Sequence, residues 1–232
     1  MKKRFFSLFV VLIITTLLVL PIYGAGTETS RQYQNKGFTA LSIASGMNLE
    51  VKQGTQYKVV IRTEESQLKL VKVAQVGNML KFYLPPFSFA TTPIEIFITM
   101  PELIKIDLSG GSTANITMNV IPKTFSASLS GGTELSGSLH AQRLELNLSG
   151  GSQSNLTGAA DTLIIDASGS SRILQESFKV KKANISLSGG CGAEVFVIES
   201  MDVNASGGAQ VYYRGNPSLN TSFSGGAGIN HL

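Results

Sequence analysis

Tryptophan is absent, cysteine occurs once, and charged side chains are 15% of the 232 residues, against the ~25% of an average soluble domain. A single Cys excludes a disulfide-stapled miniprotein and a Cys-based zinc domain. The shortage of charge excludes a charge-rich disordered tail. Glycine is plentiful, at 24 residues against 7 prolines, but follows no collagen triplet. The formal charge of +4 gives no case for nucleic acid, because Lys2, Lys3 and Arg4 sit in a leader-like segment. Without them 16 basic residues face 15 acidic ones, which is no electrostatic footprint for a phosphate backbone.

What is present begins with that leader. Lys2, Lys3 and Arg4 run into sixteen uncharged, mostly apolar residues from Phe5 to Leu20, then Pro21 and the small residues Gly24, Ala25 and Gly26. This is the order of a secretory signal peptide, expected over residues 1–25 with cleavage between Gly24 and Gly26. The alternative, a retained anchor, wants ~20 apolar residues and finds fewer. No Cys adjoins the boundary to accept a lipid. The expectation is an exported protein, periplasmic, surface-bound or secreted, whose mature chain has no membrane span.

Residues 26–37 read as a polar, flexible lead-in. From Phe38 onward the apolar pattern has period two, as in Leu41 and Ile43, Leu49 and Val51, Leu80 and Phe82, and Ile94, Ile96 and Ile98. Residues 38–101 are expected to form an irregular β N-terminal part or cap. Residues 102–232 form a repeat, continuous with it as one domain over 38–232. The repeat is a Ser-Gly-Gly punctuation at Gly110-Gly111, Gly131-Gly132, Gly150-Gly151, Gly169-Ser170, Gly189-Gly190, Gly207-Gly208 and Gly225-Gly226. Successive first glycines are 21, 19, 19, 20, 18 and 18 residues apart, a period that signifies a solenoid with one coil per repeat.

Each coil has an alternating strand before the glycines and another after them. Ile104, Ile106 and Leu108 precede the first corner; Ala114, Ile116 and Met118 follow it. Glycine at the corner supplies the positive φ of a tight turn. The architecture expected is all-β, a parallel β-solenoid with stacked aliphatic ladders inside. After Gly225-Gly226 no capping pattern is visible, so self-association through the C-terminal coil is expected.

A signal-like leader, the opening Phe38-Thr39-Ala40-Leu41-Ser42-Ile43, the segment Met100-Pro101-Glu102-Leu103 and the Ser-Gly-Gly coils together resemble the putative autotransporter-adhesin head GIN domain family of exported bacterial proteins. The resemblance spans roughly residues 38–232. It implies a pectin-lyase-like parallel β-helix with an adhesive, non-catalytic role, contacting glycans or envelope and host surface components. Gly169-Ser170 departs from the Gly-Gly pattern, and its coil has a less regular return path over residues 171–182.

No residue set points to catalysis, a cofactor or a metal. A polysaccharide-cleaving enzyme, the alternative on such a scaffold, needs clustered carboxylates. Asp107 and Asp166 share a place in their coils, but the equivalent positions elsewhere are Ser128, Asn147, Ser186 and Asn204. That is the pattern of a solvated polar ladder, and a purely structural envelope protein is the third reading. The calcium β-roll pattern is matched only in its glycines, with its Asp missing. Cys191, between Gly190 and Gly192 and with no His near it in sequence, reads as a small turn residue. Tyr212, Tyr213 and Phe196 are left as core or ligand platform.

Overall fold

A computed structural model describes residues 28–232. The leader expected at residues 1–25 lies outside the described residues. The chain is almost entirely β, and its strands join in one hydrogen-bonded ladder coiled about a single core. Each coil has a leading strand before its glycine corner and a trailing strand after it, so the rod has a leading and a trailing face. Leading strands pair in parallel with leading strands, and like residues stack. Leu108, Leu129, Leu148, Ala167, Leu187, Ala205 and Phe223 form one such column.

The corner opposite the glycines is smooth. Glu134–Ser149, Gln153–Ala167, Arg172–Leu187 and Gly192–Ala205 each run from a trailing face into the next leading face without a break. A phase slip in the alternation marks the bend. Ala141 and Leu144 both point inward, with Gln142 and Arg143 exposed between them. Val180 and Ala183 repeat this around Lys181 and Lys182. Two consecutive polar residues carry the chain round while its backbone bonds to neighbouring coils continue.

The glycine corner is tight, and it has two forms. The first Gly of all seven motifs has positive φ, from 63° at Gly110 to 83° at Gly189. The second Gly has positive φ only at Gly111 and Gly132. Later corners stack closely: the N–H of Ser170 donates to Gly150 O at 2.8 Å, and that of Gly190 to Gly169 O at 2.8 Å. At the first corner the bond runs the other way, from Gly111 N–H to Gly131 O. The residue after each of the first six motifs points inward as a buried column of Ser112, Thr133, Ser152, Ser171, Cys191 and Ala209, and Ala227 after the seventh is half-buried. The hydroxyls of Ser112, Ser152 and Ser171 donate to the carbonyls of Ser109, Ser149 and Ser168 at 2.8–3.0 Å. Cys191 takes the same place, its thiol 3.2 Å from Ser188 O.

Residues 38–101 contribute two further coils in an order that chain sequence does not follow. Ala40–Ile43 pairs with both Met79–Tyr83 and Lys105–Ser109, and Asn48–Gln53 with both Glu95–Met100 and Thr113–Thr117. The coil laid down first is therefore second in space. Between these coils the chain passes through Lys58–Glu64, a one-turn helix at Glu65–Leu68 and Lys72–Val76. Antiparallel strands end the ladder here: Lys72–Val76 on the leading face, Lys58–Glu64 and then Glu28–Tyr33 on the trailing face. The Lys72–Val76 hairpin turns at Gly77, with φ of 59°.

Coil irregularity occurs at two places: at the far corner of Gly192–Ala205, where Ile198, Glu199 and Ser200 stand opposite Lys181 and Lys182, and at a bulge. The register between Gln153–Ala167 and Arg172–Leu187 slips between Ser154 and Gly158, where the longer coil bulges. Gln175 is fully buried beside the slip. Its side-chain oxygen accepts the N–H of Leu156 at 3.2 Å and its amide donates to Ser154 Oγ at 2.9 Å. A core glutamine thus satisfies the backbone group that the slipped ladder leaves over. This is the return path that the sequence marks as irregular.

Candidate functional site

Short side chains on the leading face create a long groove of about 750 Å³. In an extended strand alternate residues face out, and parallel in-register pairing aligns them from coil to coil. One outward column runs Ser42, Asp107, Ser128, Asn147, Asp166, Ser186, Asn204 and Ser222. Beside it stand the corner serines, Ser109, Ser130, Ser149, Ser168, Ser188, Ser206 and Ser224, which line the same groove. The groove is therefore a double row of hydroxyl, amide and carboxylate groups repeating at about 4.8 Å along the rod. Phe223 is the aromatic side chain in its lining, near the last coil.

The two acids of the column are not a catalytic pair. Asp107 and Asp166 are separated by Ser128 and Asn147, three coil spacings or about 14 Å. Glycoside-hydrolysing carboxylates stand about 5–9.5 Å apart. Asp107 Oδ2 pairs with Lys105 Nζ at 3.2 Å, and its Oδ1 is buried without a hydrogen-bond partner. Asp166 is exposed. Among the described residues no group of three or more His, Cys, Asp or Glu side chains is placed to hold a metal ion.

A second cluster, unnoticed in the sequence, occupies the trailing face at the bulge. Arg214 Nη2 lies 2.8 Å from Glu176 Oε2. Hydrogen bonding to Glu176, then partial burial and the Glu176 charge, hold the Glu194 carboxyl above the usual carboxylate range, with Arg214 opposing. The placement of the cluster follows from the observed register, in which Leu174 pairs with Glu194 and the bulge brings Glu176 nearby. Nearby, Lys179 Nζ sits 5.3 Å from the centroid of the Phe196 ring. Tyr213 packs edge-on to His231 at 4.9 Å, against the core. Tyr212 and Phe196 are diagonal neighbours on the outward side of adjacent strands, whereas Tyr213 turns to the core.

The thirteen motif glycines all lie at the corners bordering the groove, where their part is backbone geometry. Cys191 is buried in the inner corner column, away from the groove. His140 and His231 are exposed and far apart in the ladder, on the second and last of the glycine-corner coils.

The family model described as "Putative auto-transporter adhesin, head GIN domain" matches residues 37–217. No curated protein matches the sequence. Among solved structures, one described as a putative adhesin from Bacteroides fragilis superposes with a TM-score of 0.80 at 21% identity, covering 89% of this chain and 97% of its own. A putative adhesin from Parabacteroides distasonis gives 0.74 at 15% identity, with 90% and 98% covered. A protein of the same organism described as a putative lipid binding protein gives 0.72 at 15%, with the same coverage. At these identities the likeness establishes the fold.

Proposed function

The chain belongs to the auto-transporter adhesin head GIN domain family, and on that premise we propose an exported, non-catalytic binding protein whose leading-face groove takes a linear glycan. The observation that carries this reading is the double polar row, Ser-Asn-Asp beside Ser, repeated coil after coil along one groove. A hydroxyl-rich polymer lying along the axis meets donors and acceptors at every coil. Many modest hydrogen bonds in register give avidity without any single strong contact. Among the described residues no helix is long and apolar enough to cross a membrane. Export rests on the leader read from residues 1–25.

A glycan array probed with the exported chain tests the proposal. Asn147→Tyr fills the middle of the groove without touching the core and is expected to lose at least about tenfold in capture. Asn155→Tyr, exposed on the trailing face, is expected to bind as the parent does. Equal binding by the two variants overturns the groove as the site.

A finer part of the reading concerns assembly. The coil formed by Ser218–Phe223 and Gly228–His231 leaves Leu219 42% and Phe223 37% exposed. We propose that a second copy covers this coil, pairing with its free strand edge.

A further inference from the structure

One loop shows more apolar surface than any glycine corner. Residues 84–94 connect Met79–Tyr83 to Glu95–Met100 in the outermost coil, in the place that Ser-Gly-Gly occupies elsewhere. Phe87 is 97% exposed and Phe89 80%. No charged residue occurs from Leu84 to Ile94. Solvating two aromatic rings side by side is unfavourable, and such exposure marks a contact surface.

The loop is held, not frayed. Thr63 Oγ1 donates to Pro93 O at 2.9 Å, and Gln67 Nε2 donates to Thr91 Oγ1 at 2.8 Å. The Thr91 N–H returns a bond to Gln67 Oε1, and Ser88 N–H closes a turn on Pro85 O at 3.1 Å. Phe87 has φ of 62°, a left-handed conformation that a bulky side chain adopts at a cost. A framework that holds a Phe in this conformation also holds its ring out in water.

We infer that this loop seats the N-terminal end of the rod on a lipid surface. Three observations favour lipid as the occupant. The tip is apolar and uncharged, as insertion into the headgroup and acyl boundary requires. The loop belongs to the same end of the ladder as Glu28–Tyr33, the first described strand. Seven residues separate Leu20, the end of the apolar run, from Glu28, eight backbone steps with a reach of at most about 29 Å. For as long as that run is attached to a bilayer, the Phe-bearing end is the one held near it. This inference does not depend on the groove.

The absence of tryptophan supplies the test. Residues 28–232 form one ladder and core, so the chain from Thr27 is used, which also removes the apolar run as a competing lipid binder. Phe87→Trp places the sole indole at the tip. With vesicles of phosphatidylethanolamine and phosphatidylglycerol, or of phosphatidylcholine alone, its emission is expected to shift to the blue. Lipids brominated on the acyl chain are expected to quench it. Replacing both Phe87 and Phe89 by Ser is expected to cut co-flotation at least about tenfold, the scale for withdrawing two rings from an apolar phase. Val76→Ser, an exposed apolar residue on another turn, is expected to change nothing. Water-like emission with both vesicle types overturns the inference and leaves the loop to a protein partner. Undiminished flotation of the double variant overturns it equally. Melting temperatures equal to the parent's establish that the tip variants are folded.

Discussion

At the scale of single residues, the motif glycines divide by what surrounds them. A Cβ on Gly111 meets nothing within 4 Å, whereas one on Gly169 falls 2.7 Å from Gly150 O. Gly111→Ala is therefore expected to cost only the positive φ, about 1–2 kcal/mol. Gly169→Ala must also displace a neighbouring backbone, and urea unfolding is expected to show a clearly larger loss. Gln175→Leu removes the partner of a buried N–H and is expected to cost about 1–3 kcal/mol. Cys191→Ser is expected to be nearly neutral, because serine fills the same place in three other coils. Sequence alone identifies the corner but not its inner column, since Ser112, Thr133, Cys191 and Ala209 share size and position rather than chemistry. Glu194 gives a pH signature. Its pKa is raised on folding, so the folded state binds more protons, and stability falls as pH rises from about 4.3 towards the raised value. Glu194→Gln removes this loss. It is expected to stabilise at pH 7 relative to the parent and to have no such advantage below about pH 4, as read by melting temperature across pH.

At the scale of elements, the coils with a Ser-Gly-Gly corner were legible because pattern and punctuation agree: inward Leu144, Leu146 and Leu148 lead into Ser149-Gly150-Gly151. The long strands continuing through the far corner were not read from the sequence, although phase slips such as Gln142-Arg143 mark the bends. Residues 38–101 were legible as β and no further. Their two coils are exchanged in space, and alternation records which side chains face inward, not which strand lies beside which. The corner there is Ser45-Gly46, with positive φ at both residues and no second glycine to advertise it. The Glu176–Glu194–Arg214 cluster was hidden for a related reason, since only the bulge brings Glu176 into line. The groove's polar column was legible residue by residue, yet its concavity arises only when eight coils stack.

At the scale of the whole molecule, the two ends differ. One is closed by antiparallel strands, while the coil at Ser218–Phe223 has an exposed leading strand. Hydrogen exchange is expected to be fastest at Ser218–Phe223 and slowest in the interior strands Gln153–Ala167 and Arg172–Leu187. If a second copy covers the open coil, sedimentation of the chain from Thr27 rises with concentration, and Ile229→Lys abolishes the rise while Asn155→Lys does not. A monomer at every concentration refutes that assembly.

The exchanged coils have a mechanical consequence. Backbone hydrogen bonds between coils lie along the rod, so tension applied through its two ends opens them one coil at a time, like a zipper. From the C-terminal side each coil is free to peel, paying out about 60 Å of chain per 19 residues. From the other side Ala40–Ile43 is trapped beneath Met79–Tyr83 and cannot leave first. A single-molecule pulling trace is expected to be a low staircase of such steps from the C-terminal side, ending in one taller rupture when the N-terminal latch gives way.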